Sequence, residues 1–247
     1  MNRFITIPFS HFCEKARWAL ERAHVPFREV GYLPMLQMPA VWRAGGKRTV
    51  PVLVTDDGPV CDSTDILRWC DAHGDAAPLF PVDADDDGAE VAELEALFDK
   101  SLGPATRRIA YHLLLPMPGA AQLIAEKAPA RWQGQLMKAV YPLARALMTR
   151  GLRLDDASAA RSRQRVDEIF EDVGVRLGDG RTYLVGDRFT AADLTFAALA
   201  APLIVPPQYQ AYLPSLDRMP EALVDLIARL RDTAAGQHAL AMYARHR

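Results

Sequence analysis

Ser10, His11 and Cys13 fall within one turn of the stretch SHFCEKARWAL, residues 10–20, and bring a hydroxyl, an imidazole and a thiol together. Ser10 stands where a helix begins, with unpaired backbone N–H groups beyond it, and a helix N-terminus stabilises a thiolate brought there. The chemistry such a corner suits is therefore sulfur chemistry. Two assignments are open: Ser10 donates a hydrogen bond to a thiolate supplied by a ligand, or Cys13 is itself the nucleophile and forms a mixed disulfide. A bare helix cap is the third. Cys13 takes the second position of a thioredoxin-type C-x-x-C, with Ser10 in the first, and flanks the apolar stripe of Phe12, Ala16 and Leu20, as a small packed residue does. His11 stays outside the catalytic set.

Two further pieces suit the rest of a peptide-like ligand. In TVPVL, residues 49–53, Pro51 cannot donate to a sheet ladder, so it marks an edge or a special turn, with a cis bond as one form. The main chain of Val50 is then free to pair with a ligand that has its own peptide bond. In CDSTDIL, residues 61–67, Asp62 and Ser63 stand where a strand hands over to a helix. A carboxylate, a hydroxyl and free N–H groups there suit a ligand end bearing both an ammonium and a carboxylate, or they simply cap the helix.

The elements that must position these residues follow from hydrophobic periodicity. RFITI at 3–7, FREVGYL at 27–33 and PVLVT at 51–55 read as strands bounded by Pro or Gly, and the apolar spacing between 10 and 24 reads as a helix. That βαβ order makes the first two strands parallel neighbours. PVLVT, then DDG, then PVCDS reads as a hairpin leading into a helix over 63–73. Downstream, helical patterns run over 88–115, 122–148, 157–177, 191–203 and 221–231, the apolar run at 194–205 being a buried helix. Segregated elements argue for an α/β domain followed by an all-α domain, with boundaries at 1–80, 81–88 for the linker and 89–247. Within the linker Asp83, Asp85, Asp87 and Gly88 match the start of a calcium loop, but Leu94 stands where a bidentate Glu is required, so the stretch reads as a solvated connection.

Composition excludes several classes. Lys and Arg number 29 against 31 Asp and Glu, leaving a net charge of −2 and no bias toward nucleic acid or an acidic membrane. No secretory leader or membrane span is expected, and three cysteines, Cys13, Cys61 and Cys70, make neither a disulfide framework nor a zinc site. A reducing cytoplasm is the expected home, and Cys61 and Cys70 are expected in the core.

The order SHFCEKARWAL, VPVL, DS followed by DIL, and then an all-helical half resembles the cytosolic glutathione transferases over nearly the whole chain. GDRFTAADLTFA at 186–197 is the most diagnostic piece of the second half: Thr190 caps a helix, Asp193 returns the capping-box bond, and Phe189 can staple onto Leu194. The resemblance implies a thioredoxin-like first domain with a mixed four-stranded sheet, an all-helical second domain, glutathione as co-substrate, no metal, and a homodimer. It implies Ser10 at the catalytic Ser/Cys position and Val50, before cis Pro51, pairing with the cysteinyl main chain. Asp62 and Ser63 would take the γ-glutamyl end, and Lys47 or Arg48 the glycyl end. A small hydrophobic electrophile would lie between the domains, where Arg107, Tyr111 and His112 are candidates. The chain departs from the family where His11 replaces a common Pro and Thr49 a common Lys or Gln. A transferase through Ser10, a thiol transferase or reductase through Cys13, and a non-catalytic binding module on the same fold are the readings to separate. Trp18, among the charges of the first helix, is expected to be covered by the second domain.

Overall fold

The computed structural model describes residues 1–81 and 86–247. Asp83 and Asp85, and half of the expected linker, lie outside the described residues. Strands β1 (Asn2–Thr6), β2 (Phe27–Gly31), β3 (Val52–Thr55) and β4 (Gly58–Val60) form one sheet in the order β2-β1-β3-β4. Helix α1 (His11–Arg22) supplies the crossover that makes β1 and β2 parallel, whereas the two-residue turn at Asp56 and Asp57 makes β3 and β4 antiparallel. Gly58 has φ +119°, a backbone that side-chain-bearing residues rarely adopt, which is why this tight hairpin carries glycine.

Alternation along the strands sorts the two faces of the sheet. Phe4 and Leu53 are register partners and face α1 and α3 (Ser63–His73), where they join Leu20 and Ile66 in the main core. Ile5 and Val52, the next pair, face the other way and meet Val41 of α2 (Met38–Arg43). The result is a thioredoxin-like layer with helices on both faces.

The second half is helical: α4 (Asp86–Leu97), α5 (Gly103–Leu114), α6 (Ala120–Glu126), α7 (Arg131–Leu152), α8 (Asp156–Arg176), α9 (Ala191–Ile204), α10 (Glu221–Arg231) and α11 (Ala234–His246). A π-type turn, Phe98–Leu102, joins α4 to α5. The single helical pattern expected over 122–148 is divided, because Pro129 lies in the connection and disfavours helix at the residue before it. Every residue of α9 is buried, as its unbroken apolar run requires. Its start is fixed by Asp193, which accepts from the Thr190 N–H at 3.0 Å and from the Leu184 N–H at 2.8 Å.

The halves are bound together through α1. Trp18 is buried; its indole N–H donates to the His246 carbonyl at 2.8 Å, and its ring packs on Tyr243 and Phe189. Arg247 reaches back to Glu14 at 2.7 Å and also pairs with Glu21. Lys15, fully buried, donates to Glu95 at 2.5 Å, to Asp99 at 2.6 Å and to Thr64 at 3.0 Å, which ties α1 to α3, α4 and the π-type turn. Arg17 is held between Glu14 at 2.6 Å and Glu29 of β2 at 2.7 Å.

Candidate active site

Strand direction alone collects the candidate residues at one end of the sheet. The C-terminal ends of β1 and β4 and the N-terminal start of β3 share that end, because β3 runs antiparallel to both. Ser10 follows β1, Val50 and Pro51 precede β3 with Lys47 and Arg48 just before them, and Asp62 and Ser63 follow β4. The N-termini of α1 and α3 point there too, adding two positive dipole ends.

Ser10 closes a turn, donating its N–H to the Ile7 carbonyl at 2.9 Å, while its own carbonyl accepts from the Glu14 N–H at 2.9 Å. The backbone is extended, and the hydroxyl makes no capping bond. Cys13 is fully buried, and burial pushes its thiol up to about 11, against opposing contributions from the Ile7 main chain, Arg17 and Ser10. Only about one molecule in ten thousand carries that thiolate at neutral pH. Burial therefore weighs against Cys13 as a nucleophile.

The bond between Val50 and Pro51 is cis. Pairing with β1 begins at Val52, so the main chain of Val50 lies ahead of the paired residues. Asp62 caps α3, accepting from the Thr64 N–H at 2.8 Å, and stays exposed; Ser63 is buried, with its hydroxyl 3.3 Å from Asp99. Lys47 and Arg48 are exposed. The charge of Lys47 reaches Cys61, the neighbour of Asp62. Cys61 is exposed, not in the core as expected, because β4 ends at Val60 and releases it into the connection; Cys70 is buried.

A cavity of about 90 Å³ adjoins the start of α1, lined there by Phe9 and His11, the residues on either side of Ser10. Arg107 and Tyr111, one turn apart on α5, line its wall. His112 does not: the helical rotation turns it to the opposite side, where its Nε2 lies 3.3 Å from Asp156, so its expected place in the pocket is corrected. Sequence reasoning missed most of the wall. Lys127, Tyr212 and Leu223 come from segments far apart in the chain, and no local spacing signals their convergence.

His11 is buried, and its Nε2–H donates to the Gly103 carbonyl at 2.9 Å. Burial, and then the charge of Arg107, hold its pKa down to about 3, although the Gly103 carbonyl pulls the other way. The ring is neutral at physiological pH, with the proton on Nε2. In the unfolded chain the imidazole takes up a proton near its ordinary value of about 6.5. Between these two values the unfolded state binds more protons, so this contribution to stability is complete above about pH 6.5 and falls on acidification by up to about 1.4 kcal/mol per pH unit. His11→Gln keeps a donor for Gly103 and should flatten that slope. Urea midpoints of parent and variant at neutral pH and near pH 5 check it; parallel losses in the two proteins would refute it.

Among the described residues no group of His, Cys, Asp and Glu is placed to hold a metal ion, and no helix is long and apolar enough to cross a membrane.

Comparison with known proteins agrees with this geometry. Residues 4–78 match the family model "Glutathione S-transferase, N-terminal domain", and residues 156–222 match "Glutathione S-transferase, C-terminal domain". No curated protein sequence matches the chain. Among solved structures, a glutathione S-transferase from Methylobacterium radiotolerans in complex with glutathione sulfonate is 22% identical, with a TM-score of 0.57 and coverage of 97% of this chain and 94% of that one. One from Methylobacillus flagellatus with glutathione bound is 19% identical, with a TM-score of 0.56 and coverage of 97% and 98%. A glutathione transferase from Populus trichocarpa is 14% identical, with a TM-score of 0.60 and 99% coverage of each. A thioredoxin-like sheet with a cis Val50–Pro51 bond, docked on a helical half and matched by the family over residues 4–78 and 156–222, places the chain in the cytosolic glutathione S-transferase superfamily.

Proposed function

We propose that the protein is a glutathione transferase in which the Ser10 hydroxyl stabilises the glutathione thiolate for attack on a small hydrophobic electrophile. What carries the reading is the position of Ser10 between Phe9 and His11, both in the wall of an apolar cavity: a hydroxyl that makes no capping bond stands at the positive end of α1. A hydrogen bond from Ser10 lowers the pKa of the incoming thiol, whose proton passes to solvent. The sulfur then forms a C–S bond to the electrophilic carbon, and the leaving group departs with the bonding electron pair.

The rest of the tripeptide follows the sheet end. The Val50 main chain pairs with the cysteinyl residue, Asp62 and Ser63 receive the γ-glutamyl end, and Lys47 or Arg48 meets the glycyl carboxylate. Beneath Ser63 the buried cluster has two carboxylates, Glu95 and Asp99, for the single ammonium of Lys15, so a ligand ammonium arriving beside it is electrostatically favoured.

The second copy in a homodimer would cover α7. Trp132, Leu136, Leu143 and Leu147 recur at helical spacing along that helix, and all are exposed, Leu143 at 64%. A stripe of this kind is unusual on a monomer.

Calorimetric titration with glutathione tests the central claim. Binding at up to millimolar concentration, with conjugation of a chlorodinitrobenzene, is the expected result, and the same sample should sediment as a dimer. No heat at millimolar glutathione would replace the enzyme by a non-catalytic module.

A further inference from the structure

The cavity beside Ser10 is apolar over most of its wall, yet it is not electrically neutral. Among the described residues Arg107 and Lys127 line it, and no Asp or Glu does. The Lys127 ammonium donates to the Ala211 carbonyl at 2.7 Å. Arg107 has no hydrogen bond or ion pair among the described residues, and its guanidinium lies 5.8 Å from the centre of the Phe12 ring. Among the described residues no carboxylate lines the space behind it either. Arg107 also borders a shallow depression whose other lining residues are Pro104, Arg108, Gly151, Leu152 and Arg153, so its neighbours there are neutral or cationic.

Arg107 is half-buried, and its partial desolvation is the largest influence on the guanidinium and works against its charge; Tyr111 favours the charge and Arg108 adds repulsion. A cation partly drawn out of water without a counter-charge is disfavoured, and an arriving anion relieves the imbalance. The residues around it cannot provide one. His11 is neutral, and the Tyr111 phenol is held above its ordinary pKa by burial.

We propose that the electrophile of this enzyme bears an anionic group of the carboxylate type on an apolar body, and that Arg107 receives that group at the cavity wall. This rests on the transferase reading above. The apolar body fills the space between Phe9, Leu114 and Ile124, while the ion pair with Arg107 fixes which end faces the sulfur at Ser10.

The test uses a chlorodinitrobenzoate, with nitro groups on both sides of the chlorine, and its methyl ester. Both react at the same ring carbon: the glutathione sulfur forms the C–S bond, chloride leaves with the C–Cl electron pair, and the thiol proton goes to solvent. Each kcat/KM is divided by the uncatalysed rate to remove intrinsic reactivity. A hydrogen-bonded charge contact of about 1.5–3 kcal/mol corresponds to a preference for the carboxylate of roughly tenfold to a hundredfold. Arg107→Leu should erase that preference, lowering kcat/KM for the carboxylate at least tenfold more than for the ester, and Arg107→Lys should retain part of it. Equal treatment of both substrates by the parent, or an equal loss on both in Arg107→Leu, would overturn the proposal. Calorimetry with the dechlorinated dinitrobenzoate and its ester gives a readout independent of turnover. A protein that binds the benzoate through Arg107 but conjugates neither substrate would retain this inference and lose the transferase reading, whereas conjugation of both without preference would do the reverse.

Discussion

Ser10→Ala should lower kcat/KM for glutathione conjugation by roughly a hundredfold to a thousandfold, the usual effect of deleting one preorganised donor from a developing or resident anion. The variant removes a hydroxyl that does not cap α1 and leaves the fold untouched, so protein yield and unfolding midpoint should match the parent. The pH profile separates a catalytic role from a structural one. With the donor in place, kcat/KM should level off at the lowered pKa of bound glutathione; without it, the rising limb should move toward the ordinary thiol value of about 8.5. Cys13→Ala, which deletes a buried protonated thiol, should leave conjugation close to parental. If Ser10→Ala keeps conjugation within twofold while Cys13→Ala abolishes thiol exchange, the roles are reversed and the protein is a thiol transferase.

The largest effect on stability is expected at Lys15. Its ammonium is fully buried against Glu95, Asp99 and Thr64. Lys15→Met preserves the length of the side chain but leaves two carboxylates facing each other without a cation. Removing one side of such a cluster costs about 3–5 kcal/mol, which for a chain of this size lowers the melting temperature by roughly 6–20 °C. Thermal unfolding followed by far-ultraviolet circular dichroism is the measurement. Adding Asp99→Asn to Lys15→Met removes one of the stranded charges and should recover part of the loss. A Lys15→Met protein as stable as the parent would mean that the cluster adds nothing to the docking of α1 on α4.

How much of this was legible beforehand depends on whether the determinant is local. The helix over 63–73 coincides with α3, because Asp62 caps it and apolar spacing runs through it. The Asp-Gly hairpin and the capping box at Thr190 and Asp193 were equally local. The charged side of α1 was not. Nothing local marks Glu14, Lys15 and Arg17 for the interior, yet all three are buried, because their counter-charges Glu29, Glu95, Asp99 and Arg247 arrive from other elements. For the same reason the sheet end holding Ser10, Val50 and Asp62 followed from strand order, whereas the cavity wall followed from nothing short of the packed helices. The π-type turn and the short α2 carried no periodic signal of their own.

The ties around Trp18 have a consequence for the integrity of the particle. The last residues of the chain lie on its first helix, and Ala191 donates its N–H to the Leu79 carbonyl while Arg188 donates to the Pro78 carbonyl. The peptide link after Pro81 is therefore one fastening among several. A nick there should leave a two-piece complex that co-elutes, and the two segments made separately should reassociate by complementation.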